Sequence, residues 1–224
     1  MYKRQGYTQN DGTCPTENIL VSVIASTSRN NLNNSVNPTS GNKLSFGTEQ
    51  FVSMGENSPT FNRMRASYSF FIPTKLINLT KGCKSSESAS EDCPQTIALQ
   101  LKAGTIIGEL PPYEAFCLGG TSSVRGWGAC ELGVSKSYVE GTIEHRFPIW
   151  RMLSGALFVD AGSDLGTQKD VPGKPGTLLQ KSGSGYSLGG GIGIKTPIGP
   201  LRLDVASQDL SGDWRYTLGV GWKF

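Results

Sequence analysis

The chain has 224 residues and a formal net charge of +3, with 29 glycines and only 17% charged residues. Glycine is thus about 13% where about 7% is usual, and charge falls short of the usual figure of about 25%. This composition excludes a coiled coil and disfavours a large helical core. A charge of +3 without a strong basic cluster is too weak a field for a nucleic-acid binder. Apolar residues recur along the whole chain, which argues against a disordered tail. No stretch approaches the roughly 18 uninterrupted apolar residues of a membrane helix. A transmembrane β-barrel needs only alternating segments of about 10 residues, so a membrane location stays open.

Residues 1–5, Met-Tyr-Lys-Arg-Gln, have no apolar signal-peptide core behind them. They match the peptide encoded by the transposon end of a sequencing-library adaptor. Residues 1–13 are therefore expected to be artefact and loop remnant, and 14–224 the folded part of a longer protein. Strands are expected at 18–27, 43–52 and 61–72. In the third, Arg63, Arg65, Ser67 and Ser69 share one face, and Met64, Ala66, Tyr68, Phe70 and Ile72 share the other. Residues 73–94 form a long insertion. Within it Cys83 and Cys93 bracket a polar run and are candidates for one disulfide.

A strand at 95–107 is followed by a long loop, 108–136, in which Cys117 and Cys130 are candidates for a second disulfide. Cys14 is left over. Strands follow at 137–147 and 153–161, then at 186–195, 201–205 and 214–224. In the stretch 189–193 Gly189, Gly191 and Gly193 share one face. A nucleotide loop would need a helix after it, so these glycines are expected to face inward where another segment packs close. In the last strand Trp214, Tyr216, Leu218, Val220, Trp222 and Phe224 alternate with Arg215, Thr217, Gly219, Gly221 and Lys223. The apolar face carries aromatics at both ends, as at two membrane interfaces.

The reading is all-β: nine antiparallel strands, with loops alternating between the two ends. Residues 207–213, 162–184 and 108–136 fall on one side, the outer one. Residues 196–199, 148–152, 73–94 and 29–42 fall on the other, the periplasmic side. No catalytic constellation emerges. The single histidine, His145, shares the outward parity of Ile143 and Phe147, so a Ser/His/Asp arrangement has nothing to build on. Asp160 and Asp164 lack the further oxygen ligands of a calcium loop. Neither an enzyme nor a metal or cofactor site is expected.

The long loop reads Phe116-Cys117-Leu118-Gly119-Gly120-Thr121-Ser122-Ser123-Val124-Arg125-Gly126-Trp127. It resembles the F-x-x-G-G-x-x-S-V-R-G-(Y/F) signature of the BamA/Toc75 family of outer-membrane assembly factors, with Trp in place of Tyr or Phe. Glu144-His145-Arg146-Phe147-Pro148 is similar to the family's E-x-R-x-P strand end, and Phe158-Val159-Asp160-Ala161-Gly162 to its F-x-D-x-G strand. Residues 195–204 resemble its penultimate hairpin, and Phe224 the terminal aromatic of outer-membrane barrels. The detail is most like the cyanobacterial and plastid branch.

The resemblance implies the last nine of sixteen barrel strands. Seven strands and the N-terminal POTRA domains would lie outside this chain. Nine strands cannot close an even-numbered barrel, so a curved sheet with a bare edge is expected. It also implies that the loop folds into the lumen, with Arg125 held by Glu144 and Asp160, which alternation places inward on consecutive strands. Gly119, Gly120 and Gly126 would let the loop pack against the wall. The residues from Trp214 to Phe224 would form one side of a seam that binds unfolded barrel clients. Expected partners are outer-membrane lipid, unfolded barrel proteins, and accessory factors reached through POTRA domains. The expected function is insertion of barrel proteins into the outer membrane, or into a plastid outer envelope. A polypeptide translocation pore of the same family and a passive porin-like channel remain alternatives.

Overall fold

The computed structural model describes residues 19–54, 59–85, 93–196, 199–210 and 212–224. Residues 1–5, Cys14 and two residues of the 196–199 turn lie outside them. Nine strands build one antiparallel sheet: β1 (Ile19–Asn30), β2 (Gly41–Met54), β3 (Phe61–Pro73), β4 (Thr96–Gly108), β7 (Ser137–Trp150), β8 (Leu153–Ser163), β9 (Ser184–Ile194), β10 (Leu201–Ser207) and β11 (Trp214–Val220). The two remaining strands, β5 (Phe116–Leu118) and β6 (Gly133–Ser135), pair with each other as a small hairpin inside the long loop. Sequence alternation had given no sign of it, because three-residue strands carry too little pattern.

In the large sheet every strand pairs with its neighbours in chain order, and β1 and β11 form its two edges. This is the open, nine-stranded arrangement expected. Several strands run further than their alternation suggested. β7 continues through Pro148 to Trp150 with a register irregularity there, where proline cannot donate to the ladder.

Alternation assigns the faces. On the convex side Ile143, Leu157, Tyr186, Ile192, Tyr216 and Leu218 are exposed. On the concave side Thr142, Glu144, Arg146, Asp160, Ser187, Arg202 and Asp204 are buried. Apolar residues outside and charges inside invert the pattern of a water-soluble fold. They match a strand wall with lipid on one side and a polar lumen on the other. No described helix is long and apolar enough to cross a membrane.

At the end where the long loop leaves the sheet, Phe51, Phe61, Ile106, Leu110, Phe116 and Val171 form a buried cluster against which Tyr138 packs. This cluster ties the start of the long loop to the ends of β2, β3 and β4. At the other end Cys83 and Cys93 are joined and fully buried, with Cα atoms 4.7 Å apart. A short helix, α1 (Lys81–Ser85), holds the first of them. The Gln95 side chain accepts hydrogen bonds from the backbone N–H groups of Leu76 and Ile77, at 3.1 and 3.0 Å. The Asn-rich connection between β1 and β2 is also ordered by its own side chains. Asn33 accepts from the N–H groups of Thr39 and Ser40, and Asn34 from those of Val36 and Asn37.

One expectation is corrected. The last strand does not run to Phe224 with Trp222 and Phe224 on the lipid face. β11 ends at Val220, and Gly221 turns the chain at φ +84°, a conformation that glycine adopts without a Cβ penalty. Residues 222–224 then turn to the concave side of the sheet. The indole N–H of Trp222 donates to Asn37 at 2.9 Å, and the Phe224 ring lies 6.1 Å from that of Phe71 on β3. Trp214, Tyr216, Leu218 and Val220 do stay on the exposed outer face.

Candidate functional site: a loop arginine in a cradle of carboxylates

The loop between β4 and β7 folds back into the concave side of the sheet. Gly119, Gly120 and Gly126 all have positive φ, at +103°, +98° and +88°. At Gly126 a Cβ would also lie 3.1 Å from the Ser187 side chain and 3.3 Å from the backbone of Ser207. The loop therefore presses against β9 and β10 at a point only glycine can occupy. Leu118, Val124 and Leu132 make a small buried core with Trp127 and Tyr138. The Trp127 indole donates to the Tyr186 carbonyl on β9 at 3.0 Å. Cys117 and Cys130 are joined across the loop, with Cα atoms 4.5 Å apart.

Arg125 sits at the centre and is 1% exposed. Its Nε and Nη2 donate to the two oxygens of Asp160 at 2.8 and 3.0 Å. Its Nη1 donates to Glu144 at 2.8 Å and to Asp204 at 3.2 Å. Its backbone N–H also donates to Asp160, at 3.1 Å. The guanidinium carbon lies 3.3 Å from the centre of the Phe158 ring. A bidentate carboxylate pair with an aromatic face beneath it uses the planar fork of arginine. Burial works against the guanidinium charge, but Asp160, Glu144 and Asp204 more than offset it and hold its pKa above the ordinary arginine value.

The carboxylates have further partners. Thr142 donates to Asp160 at 2.8 Å, Arg146 to Glu144 at 2.7 Å, and Arg202 lies 2.9 Å from Asp204. Lys223, delivered by the inward turn after β11, lies 3.1 Å from Asp160. Four cations and three carboxylates thus interlock inside the sheet.

The inward glycines of β9 make room for this cradle. A Cβ at Gly185 would lie 2.7 Å from the Trp127 ring, and one at Gly189 or Gly191 would overlap Phe158 or Asp204. The expected room for the loop is therefore shared between the loop and the side chains that hold it.

The structure brings together the sequence-expected group Gly119, Gly120, Val124, Arg125, Gly126, Trp127, Glu144 and Asp160. It separates Trp222 and Phe224 from the rest of the seam residues. Sequence reasoning missed Asp204, Arg146, Arg202 and Lys223. Asp204 was legible in principle, since it alternates with Leu203 and Val205 and so points inward with Arg202. Lys223 was not, because its position depends on a backbone turn at Gly221 rather than on strand parity.

This arrangement is a set of interlocking ion pairs and hydrogen bonds. It holds a loop in place by charge and shape.

A family model of the Omp85 superfamily domain matches residues 2–224. Outer envelope protein 80, chloroplastic, of Arabidopsis thaliana is 41% identical over 128 residues, covering 57% of this chain and 17% of that protein. Protein TOC75-4, chloroplastic, of the same plant is 35% identical over 184 residues, covering 82% of this chain and 43% of that protein. Protein TOC75, chloroplastic, of Pisum sativum is 32% identical over 184 residues, covering 82% of this chain and 21% of that protein. Among solved structures, BamA from Haemophilus ducreyi lacking POTRA domains 1–3 superposes with a TM-score of 0.63 at 18% identity, covering 88% of this chain and 40% of that chain. At that identity the likeness speaks to the fold alone. The chain spans less than half the length of each of these relatives. An outer membrane or plastid outer envelope, the expected location, agrees with them.

Proposed function

The chain belongs to the Omp85 superfamily, and we propose that the full-length protein containing it folds and inserts other barrel proteins into an outer membrane. The action is not chemical. Strand β11 is an edge of the sheet in this chain, and an incoming strand can pair on it by sheet augmentation. The loop carrying Arg125 keeps the lumen beside that edge filled and fixed. The observation that carries the reading is the docking of Arg125 on Asp160, Glu144 and Asp204, strands β8, β7 and β10. A passive channel has no need of a buried arginine that ties a loop across its lumen. Clients, lipid and accessory factors bound through POTRA domains are the partners this reading requires, and it requires no metal, cofactor or enzymatic step.

The test is complementation in a strain depleted of the full-length protein. Arg125→Ala is expected to reach the outer membrane as a folded barrel but to leave client barrels unassembled. Normal client levels with Arg125→Ala would sink the proposal. A translocation pore is favoured instead if clients assemble normally while a soluble passenger fails to cross.

A further inference from the structure

Residues 221–224 do more than end a strand. Lys223 is 3% exposed at its side chain. Its Nζ donates to the Thr142 hydroxyl at 3.0 Å and to the backbone carbonyl of Ser123, and it lies 3.1 Å from Asp160 Oδ2. That oxygen is the one on which Arg125 Nε and the Arg125 backbone N–H also converge. Ser123 is two residues before Arg125 in the same loop. On either side of Lys223 the chain is held by other lumen groups. Trp222 donates to Asn37, and its ring lies 4.5 Å from the Arg146 guanidinium. Arg146 in turn donates to the Phe224 carbonyl at 3.2 Å, and it holds Glu144, a second Arg125 ligand.

We infer that Lys223 is a positioning residue for the Arg125 loop: it couples the inward state of residues 221–224, at the end of edge strand β11, to the docked state of the loop. The physical reason is the bond from Lys223 to the loop backbone at Ser123, because two cations on one carboxylate repel each other. Asp160 offers two oxygens, and the Arg125 fork takes both. A second cation on Asp160 Oδ2, with a bond to the loop backbone at Ser123, draws the loop and the strand end to one point. If residues 222–224 swing out to extend β11, the loop loses the Ser123 anchor. If the loop leaves, Lys223 loses its Ser123 acceptor. Each event favours the other, and thermodynamic reciprocity makes the two effects equal. An incoming strand that pairs with β11 and straightens its end would therefore loosen the loop.

The inference rests on the loop being part of the insertion machinery, but its readouts do not depend on insertion. The full-length protein is placed in liposomes, folded barrels are selected by heat-modifiable migration, and two signals are followed. The first is acetylation of Lys223 by an amine reagent, compared by mass spectrometry with exposed Lys195. The second is trypsin cleavage after Arg125. In the unsubstituted protein Lys223 is expected to react far more slowly than Lys195. Lys223→Met is expected to speed cleavage after Arg125 by about tenfold, within the usual range of coupling between sites. Lys223→Arg, which keeps the cation, is expected to leave the loop protected. Arg125→Ala is expected to speed acetylation of Lys223 by a similar factor. If Lys223→Met fails to yield a barrel, the acetylation of Lys223 in Arg125→Ala decides. Lys223 reacting as fast as Lys195, or a loop equally protected in Lys223→Met, would overturn the coupling. So would a loop equally cleaved in Lys223→Met and Lys223→Arg. A coupled loop in a protein that inserts no client would count against the proposed function and not against the coupling.

Discussion

Arg125 makes four side-chain hydrogen bonds to carboxylates on three different strands. Removing one partner of such a buried set strands the others, at a cost of roughly 3–5 kcal/mol. Asp160→Asn keeps the size of the side chain and removes the charge that Arg125 and Lys223 share. It is expected to free the loop nearly as completely as Arg125→Ala, read as proteolysis between Gly119 and Cys130. Asp204→Asn touches only the longest of the four bonds, at 3.2 Å, and is expected to have the smaller effect. Equal loop protection in Asp160→Asn and the unsubstituted protein would refute the cradle. At this scale the sequence was a partial guide. Glu144 and Asp160 follow from strand parity once the loop motif is seen. The third carboxylate shared that parity, yet nothing in the sequence tied β10 to a loop some 80 residues earlier in the chain.

Elements are held by shape as much as by charge. A Cβ at Gly185 would approach the Trp127 ring to 2.7 Å and Leu132 to 2.8 Å, so Gly185→Val overpacks the loop core. Overpacking of this kind typically costs about 1–3 kcal/mol. Trp127 emission is expected to shift to the red as the indole is displaced, while the strands persist. The disulfide between Cys117 and Cys130 closes a span of 13 residues, and in the chain-entropy model it stabilises by roughly 3 kcal/mol. Replacing both cysteines with serine is expected to raise proteolysis between them without loss of heat-modifiable migration. Unchanged proteolysis would show that packing and the arginine alone hold the loop. Strand existence was well written in the alternation, and all nine sheet strands lie where it placed them. Strand ends were not. β11 stops at Val220 because Gly221 takes a positive φ, and the apolar pattern continues past that turn with Trp222 and Phe224 as if nothing had changed. Those two aromatics pack in the lumen instead of on lipid, so one pattern served two environments.

The whole molecule is an inverted wall: exposed apolar side chains outside, interlocked charges within. Its two edge strands are free of each other, as expected for part of a larger Omp85 barrel. Fractionation of the full-length protein is expected to place it in the outer membrane with heat-modifiable migration, and recovery in a soluble fraction would contradict the wall. We propose that the docked Arg125 loop serves activity and not the fold. Its most direct test is reconstitution of the full-length protein, unsubstituted and as Arg125→Ala, in liposomes with an unfolded barrel client. Client insertion is then timed by the client's own resistance to protease. Arg125→Ala is expected to form a barrel of normal heat-modifiability and to insert the client at least about tenfold more slowly, equivalent to about 1.4 kcal/mol on the barrier. A folded Arg125→Ala protein that inserts the client at the unsubstituted rate would contradict it.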